Sequence, residues 1–100
     1  MFTAHGPVDA KGDIAPRDIR LQTRLTLTNL VAAVTAAGAR LDDVAQVLVY
    51  LVDVGDVAIM DEVYREFFSA PYPNRATVVV QALVHPQMRI ELVAYVALPS

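Results

Sequence analysis

The hydrophobic pattern of this 100-residue chain predicts a single α+β domain in the order β-α-β-α-β-β, with two helices on one face of a sheet. Three observations carry that reading. Apolar residues recur at helical spacing in two stretches, 27–37 and 60–67. Three further runs, 44–52, 76–83 and 88–97, are strand-like, the first of them rich in β-branched residues and apolar on both faces. No third helical stretch is present to cover the second face of those strands, so another copy of the chain is expected there.

The elements follow in order. Residues 1–15 read as a strand remnant and a turn, with Asp9-Ala10-Lys11-Gly12-Asp13 as the turn signal. Pro16 suits the first turn of a helix and Gly38 its left-handed C-terminal cap. Between them Leu27, Leu30, Val31, Val34 and Ala37 form the apolar stripe, and Gln22, Arg24, Thr28 and Thr35 lie mostly off it. Val44 to Val52 then reads as a central strand. Gly55-Asp56 opens a second helix, with Asp56 as N-cap and Met60, Val63, Tyr64 and Phe67 as its stripe. By spacing, Tyr50, Tyr64 and the Phe67-Phe68 pair are core residues. Pro71-Tyr72-Pro73-Asn74 stops the helix, and strands at 76–83 and 88–97 flank a loop containing His85-Pro86-Gln87.

Composition narrows the function. Hydrophobic residues make up 55% and charged residues 19%, which excludes a disordered chain. Eight Lys plus Arg against eleven Asp plus Glu give a net charge of −3 and a pI near 5.1, so no basic stripe exists for nucleic acid. The chain has no cysteine and only two histidines, His5 and His85, far apart in sequence, which argues against a metal site or a thiol nucleophile. No apolar run approaches the ~20 residues that span a bilayer, and the start lacks the basic and apolar regions of a signal peptide, so a cytoplasmic protein without a membrane partner is expected. A mean hydropathy of +0.41 is nonetheless high for a lone small domain, and points again to an apolar face covered by a partner.

Six blocks in order resemble the reactive intermediate deaminase family (Rid, also called YjgF). They are Gln22-Thr23-Arg24 with Thr28-Asn29-Leu30; Ala36-Ala37-Gly38-Ala39 with Leu41-Asp42-Asp43-Val44; Val49-Tyr50-Leu51-Val52-Asp53; Val63-Tyr64-Arg65-Glu66-Phe67-Phe68; Pro73-Asn74-Arg75-Ala76-Thr77-Val78; and Ile90-Glu91-Leu92-Val93-Ala94. Together they run from about residue 9 to residue 97. The resemblance implies a chorismate-mutase-like domain with a mixed sheet, assembled as a homotrimer. It also implies hydrolysis of enamines and imines such as 2-aminoacrylate to 2-keto acids and ammonia. Relatives usually carry a further strand and a G-P-Y-S-like loop ahead of this start, and Ala4-His5-Gly6 stands where they have an S-G-Q turn. That departure is expected to affect rate and substrate more than fold.

Two residues are expected to carry the chemistry. Arg75, ahead of a buried strand, is either a bidentate clamp for a carboxylate or an ordinary ion-pair partner by its own chemistry; the family's P-x-R motif implies the clamp. Glu91 lies in an apolar strand, where a carboxylate costs several kcal/mol unless it is functional, exposed to solvent at an edge, or paired with Arg89 or Arg75. The I-E-x-x-A block implies that it positions and deprotonates a water. Ala76 and Thr77 are expected to line the pocket beside Arg75, with Thr77 where relatives often have cysteine. Asp61 stands where many relatives have asparagine and is assigned to pocket polarity, although such a helix position often carries only a solvated carboxylate. Tyr72 either closes a pocket lip or packs on a neighbour, and His85 is expected on a surface loop. An imine carbon is already electrophilic, so an anchored carboxylate, an oriented water and a proton route suffice, and the chemistry implies no metal or organic cofactor. The alternative function is a non-catalytic trimeric module that binds small carboxylates, such as 2-keto acids, in the same cleft.

Overall fold

The computed structural model describes residues 1–99 and shows a mixed α+β fold. Strand β1 spans Phe2–His5, helix α1 Ile19–Ala36, strand β2 Val44–Leu51, helix α2 Val57–Phe67, strand β3 Asn74–Val79 and strand β4 Ile90–Val96. The sheet order is β1-β4-β2-β3. β2 and β3 run parallel, joined by α2 as a crossover, and the other two pairings are antiparallel.

The turn after β1 is built by Asp9, whose Oδ1 accepts from the Lys11 and Asp13 amides, while Gly12 takes φ +85°. Helix α1 begins at Ile19, later than Pro16 suggests. The Ala15 and Pro16 carbonyls are drawn away by the Gln22 side chain, and Asp18 caps the helix by accepting from the Leu21 amide at 2.9 Å. The other end matches the expectation. Gly38, at φ +79°, donates to Thr35, and Ala39 donates back to Val34, which closes the helix in a Schellman turn.

Leu27, Leu30 and Val34 are buried as their spacing predicts, but Gln22 is buried too and is not a surface residue. Its Nε2 donates to the carbonyls of Ala15, Pro16 and Gln87, and its Oε1 accepts from the Arg89 amide. One neutral side chain thus joins the start of α1 to the loop before β4. Satisfying the whole amide removes most of the penalty for burying it.

Asp56 occupies the N-cap position of α2 as expected, but its side chain does not cap the helix. It holds Arg89 through two contacts, 3.0 Å from Nε and 2.6 Å from Nη2. A 3₁₀ turn over Val54–Asp56 points the carboxylate toward β4, and Asp53 supplies that turn's cap by accepting from the Gly55 amide.

The last two strands are shorter than expected. β3 starts at Asn74, paired with Gln46, and ends at Val79 because β2 ends at Leu51, leaving residues 81–83 nothing to pair with. β4 begins at Ile90, not at 88, because the Met88 amide donates to His85 and the Arg89 amide to Gln22. Ala97 leaves the ladder to donate to Asp43.

Side-chain parity divides the sheet. Val47, Val49, Leu51, Ile90, Leu92, Ala94 and Val96 face the helices and are at most 1% exposed. Each such Val, Leu or Ile contributes about 1.5–3 kcal/mol by leaving water. The opposite face carries Leu48, Tyr50, Glu91 and Val93, half-buried, with Phe2, Val78 and Tyr95 exposed. Phe2 and Tyr95 pack edge to face at 4.7 Å between ring centroids. Among the described residues, no helix lies over this second, largely apolar face.

Candidate functional site

The C-terminal part of α2, the Pro-rich turn and the start of β3 form an open cavity of about 350 Å³, lined by Asp61, Tyr64, Arg65, Tyr72, Pro73 and Arg75. Arg75 sits there because it pairs with Val47 in the parallel ladder, and Val47 faces the helices. Its guanidinium is therefore directed toward α2. Asp61 and Tyr64, at i and i+3 of that helix, present neighbouring side chains to receive it.

Two contacts fix the guanidinium. Nη1 lies 2.7 Å from Asp61 Oδ1, with the two side chains 27% and 29% exposed, and the central carbon lies 4.7 Å from the centre of the Tyr64 ring. Tyr64 in turn stacks on Phe68 at 4.5 Å. The Tyr64 hydroxyl is buried and without a partner among the described residues. Burial pushes its pKa up to about 12; Arg75 pulls it down and Asp61 pushes it further up. The phenol is therefore neutral across physiological pH. Arg75 has five N–H donors, and the Asp61 contact engages one end of the fork, which leaves the remaining edge for a planar anion.

The other expected site residues are distributed unevenly. Asp61 is not merely a solvated helix carboxylate: it lines the cavity and holds Arg75. Thr77 faces the helices like Arg75, with its Oγ1 buried and without a partner among the described residues, but it does not line the cavity. Ala76 points to the opposite face and is exposed. Tyr72, 51% exposed, lines the cavity, whereas His85 is exposed in the loop before β4.

Glu91 pairs with Tyr50, whose other neighbour is Val78, so it faces away from the helices. Arg75 and Glu91 therefore occupy opposite faces of one sheet and share no cavity within a chain. Glu91 has no ion-pair partner among the described residues; Arg89 is taken by Asp56 and Arg75 by Asp61.

Two cavity residues escaped the sequence reading. Tyr64 reads as core from its spacing, and it is buried, yet its ring also carries Arg75. Arg65 adds a second, exposed cation to the cavity wall; its place four residues after Asp61 on the helix is the only sequence signal for it. Among the described residues, no three His, Cys, Asp or Glu groups converge as metal ligands, and no helix is long and apolar enough to cross a membrane.

Known proteins share this arrangement of elements. RutC family protein PH0854 of Pyrococcus horikoshii is 45% identical over 91 residues, covering 89% of this chain and 72% of that one. The Escherichia coli K12 protein named "Putative reactive intermediate deaminase TdcF" is 37% identical over 92 residues, covering 88% of this chain and 71% of its own. The crystal structure of E. coli TdcF with bound serine superposes with a TM-score of 0.88 at 36% identity, over 99% of this chain and 80% of that one. The family model described as Endoribonuclease L-PSP matches residues 1–98. With fold, sequence and nearly the whole length in agreement, the chain belongs to the Endoribonuclease L-PSP family, the group that includes YjgF and the Rid proteins.

Proposed function

We propose that the protein hydrolyses the enamine and imine forms of small 2-amino acids, of the 2-aminoacrylate type, to 2-keto acids and ammonia. The observation that carries this reading is the restrained guanidinium of Arg75 in a cavity of small-molecule size, with one edge free for a carboxylate. The serine in the TdcF crystal structure supports a ligand of that size and kind.

In this reaction the enamine tautomerises to an imine held by its carboxylate on Arg75. Water adds to the C=N carbon and gives a carbinolamine. The C–N bond then breaks, ammonia leaves, and the carbonyl of the 2-keto acid forms. Glu91 accepts the proton from the attacking water and returns it to the nitrogen; it then takes the carbinolamine hydroxyl proton as the carbonyl forms, and that proton leaves with the nitrogen. Because Glu91 and Arg75 face opposite sides of one sheet, the base comes from a neighbouring copy. A homotrimer closed through the apolar sheet faces supplies that copy and covers Leu48, Tyr50, Val78 and Val93 in the same step.

The test is ammonia release from 2-aminoacrylate generated in situ, with Glu91→Gln beside the wild type. The amide keeps size and hydrogen bonding, so affinity for a 2-keto acid stays nearly unchanged while turnover falls roughly 10²–10⁴-fold. Wild-type protein that binds 2-keto acids but releases no ammonia above background establishes the non-catalytic binding module instead. An active wild type matched by Glu91→Gln makes Glu91 structural.

A further inference from the structure

Asp61 places a negative charge 2.7 Å from the guanidinium that is to receive the substrate carboxylate. Both groups lie on the wall of one cavity and both are less than a third exposed. The other cation of the wall, Arg65, is exposed, so its charge is screened by water. A ligand that docks one anionic group on Arg75 therefore meets a like charge beside it. A ligand that also carries a cation next to its carboxylate meets an opposite one.

We infer that Asp61 is a specificity-determining residue that selects zwitterionic ligands, with a protonated imine or amine adjacent to a single carboxylate, over 2-keto acids and dicarboxylates. This rests on the reading of Arg75 as the carboxylate clamp, and it adds a direction to the reaction. The substrate, as its protonated imine, is held as an ion pair complementary to the Arg75–Asp61 pair. Hydrolysis removes the nitrogen and with it the positive charge, so the 2-keto acid faces Asp61 uncompensated and is released. Dicarboxylates are turned away by the same charge, because their second anion has no free cation of comparable burial to meet.

Charges about 4 Å apart at a partly exposed site interact strongly enough to change an affinity by roughly tenfold or more. The test measures dissociation constants for L-serine, pyruvate and oxaloacetate by NMR titration of labelled protein, for wild type, Asp61→Asn and Asp61→Ser. The two neutral variants differ in size, so a shift common to both reports the charge and not a packing change. The expected result is tighter binding of pyruvate and oxaloacetate, by about tenfold, with serine unchanged or weaker, and a smaller wild-type preference at high salt. A serine-to-pyruvate ratio that moves less than twofold in both variants overturns the assignment of Asp61 while leaving the clamp standing. If none of the three ligands binds wild type at millimolar concentration, the clamp itself fails and this inference fails with it.

Discussion

Replacing Arg75 with alanine tests the proposed ligand-binding role of this side chain separately from its structural one. In the folded protein Arg75 makes one ion pair at 2.7 Å, with side chains 27% and 29% exposed, and one cation–π contact at 4.7 Å. A partly exposed pair of this kind contributes at most about 1 kcal/mol, and the contact over the Tyr64 ring about 0.5–1 kcal/mol. Asp61 keeps enough solvent to remain hydrated once its partner is gone. The variant should therefore lose about 1–2 kcal/mol of stability, a minor part of the ~5–15 kcal/mol typical of a domain. Ligand binding should suffer more. Removing a charge-assisted bidentate hydrogen bond from a sheltered site costs roughly 2–4 kcal/mol, or about 30- to 1,000-fold in affinity. Calorimetric titration with pyruvate gives the second quantity and urea unfolding the first. Tyr64→Phe serves as the control, since it keeps the ring under the guanidinium and removes only a hydroxyl without a partner. A Kd for Arg75→Ala within about threefold of wild type refutes the clamp, and dissociation of the assembly on the same substitution would show that Arg75 is structural.

Two further predictions concern the sheet. Light scattering at micromolar concentration should find a trimer, and Val78→Asp, on the apolar sheet face away from the helices, should shift it toward monomer without unfolding; a well-folded wild-type monomer refutes the assembly. His5, which lies within 2.7 Å of Thr3 Oγ1 through its Nε2, has its pKa pushed below the usual 6.5 by burial. The folded state therefore binds that proton less readily than the unfolded chain, so this contribution is present above pH 6.5 and is lost as pH falls below it. Urea midpoints at about pH 7.5 and about pH 5 should fall further for wild type than for His5→Gln, and equal falls would show that His5 is not involved.

Much of the fold follows from local pattern. The spacing of Leu27, Leu30 and Val34 marks a helix face, and the apolar run of β2, interrupted by Gln46 alone, marks a strand with two faces to cover. The Gly38 turn follows from the one residue that tolerates positive φ there. What local pattern misses depends on partners distant in sequence. Gln22 reads as a surface residue because its satisfiers are backbone groups, some near and others 65 and 67 positions away. Asp56 reads as a helix cap because Ser, Asp and Asn are common there, while the reason for its position is Arg89. β3 begins on the polar pair Asn74-Arg75, which carries no strand signal of its own. The site shows the same division. Arg75 and Asp61 stand out individually, but their contact depends on how α2 crosses the sheet. That Glu91 faces away from Arg75 depends on register, where one residue of slip would reverse the answer.

The separation of Arg75 from Glu91 by the thickness of one sheet has a kinetic consequence. Under the proposed function, each chain carries an anchor for one site and a base for another, and a lone copy, however well folded, owns no complete site. Dilution then acts as an inhibitor. Specific activity falls with total protein concentration once assemblies dissociate, while the core between sheet and helices, which lies within one chain, persists. Catalytic output is thereby tied to the abundance of the protein more steeply than in proportion.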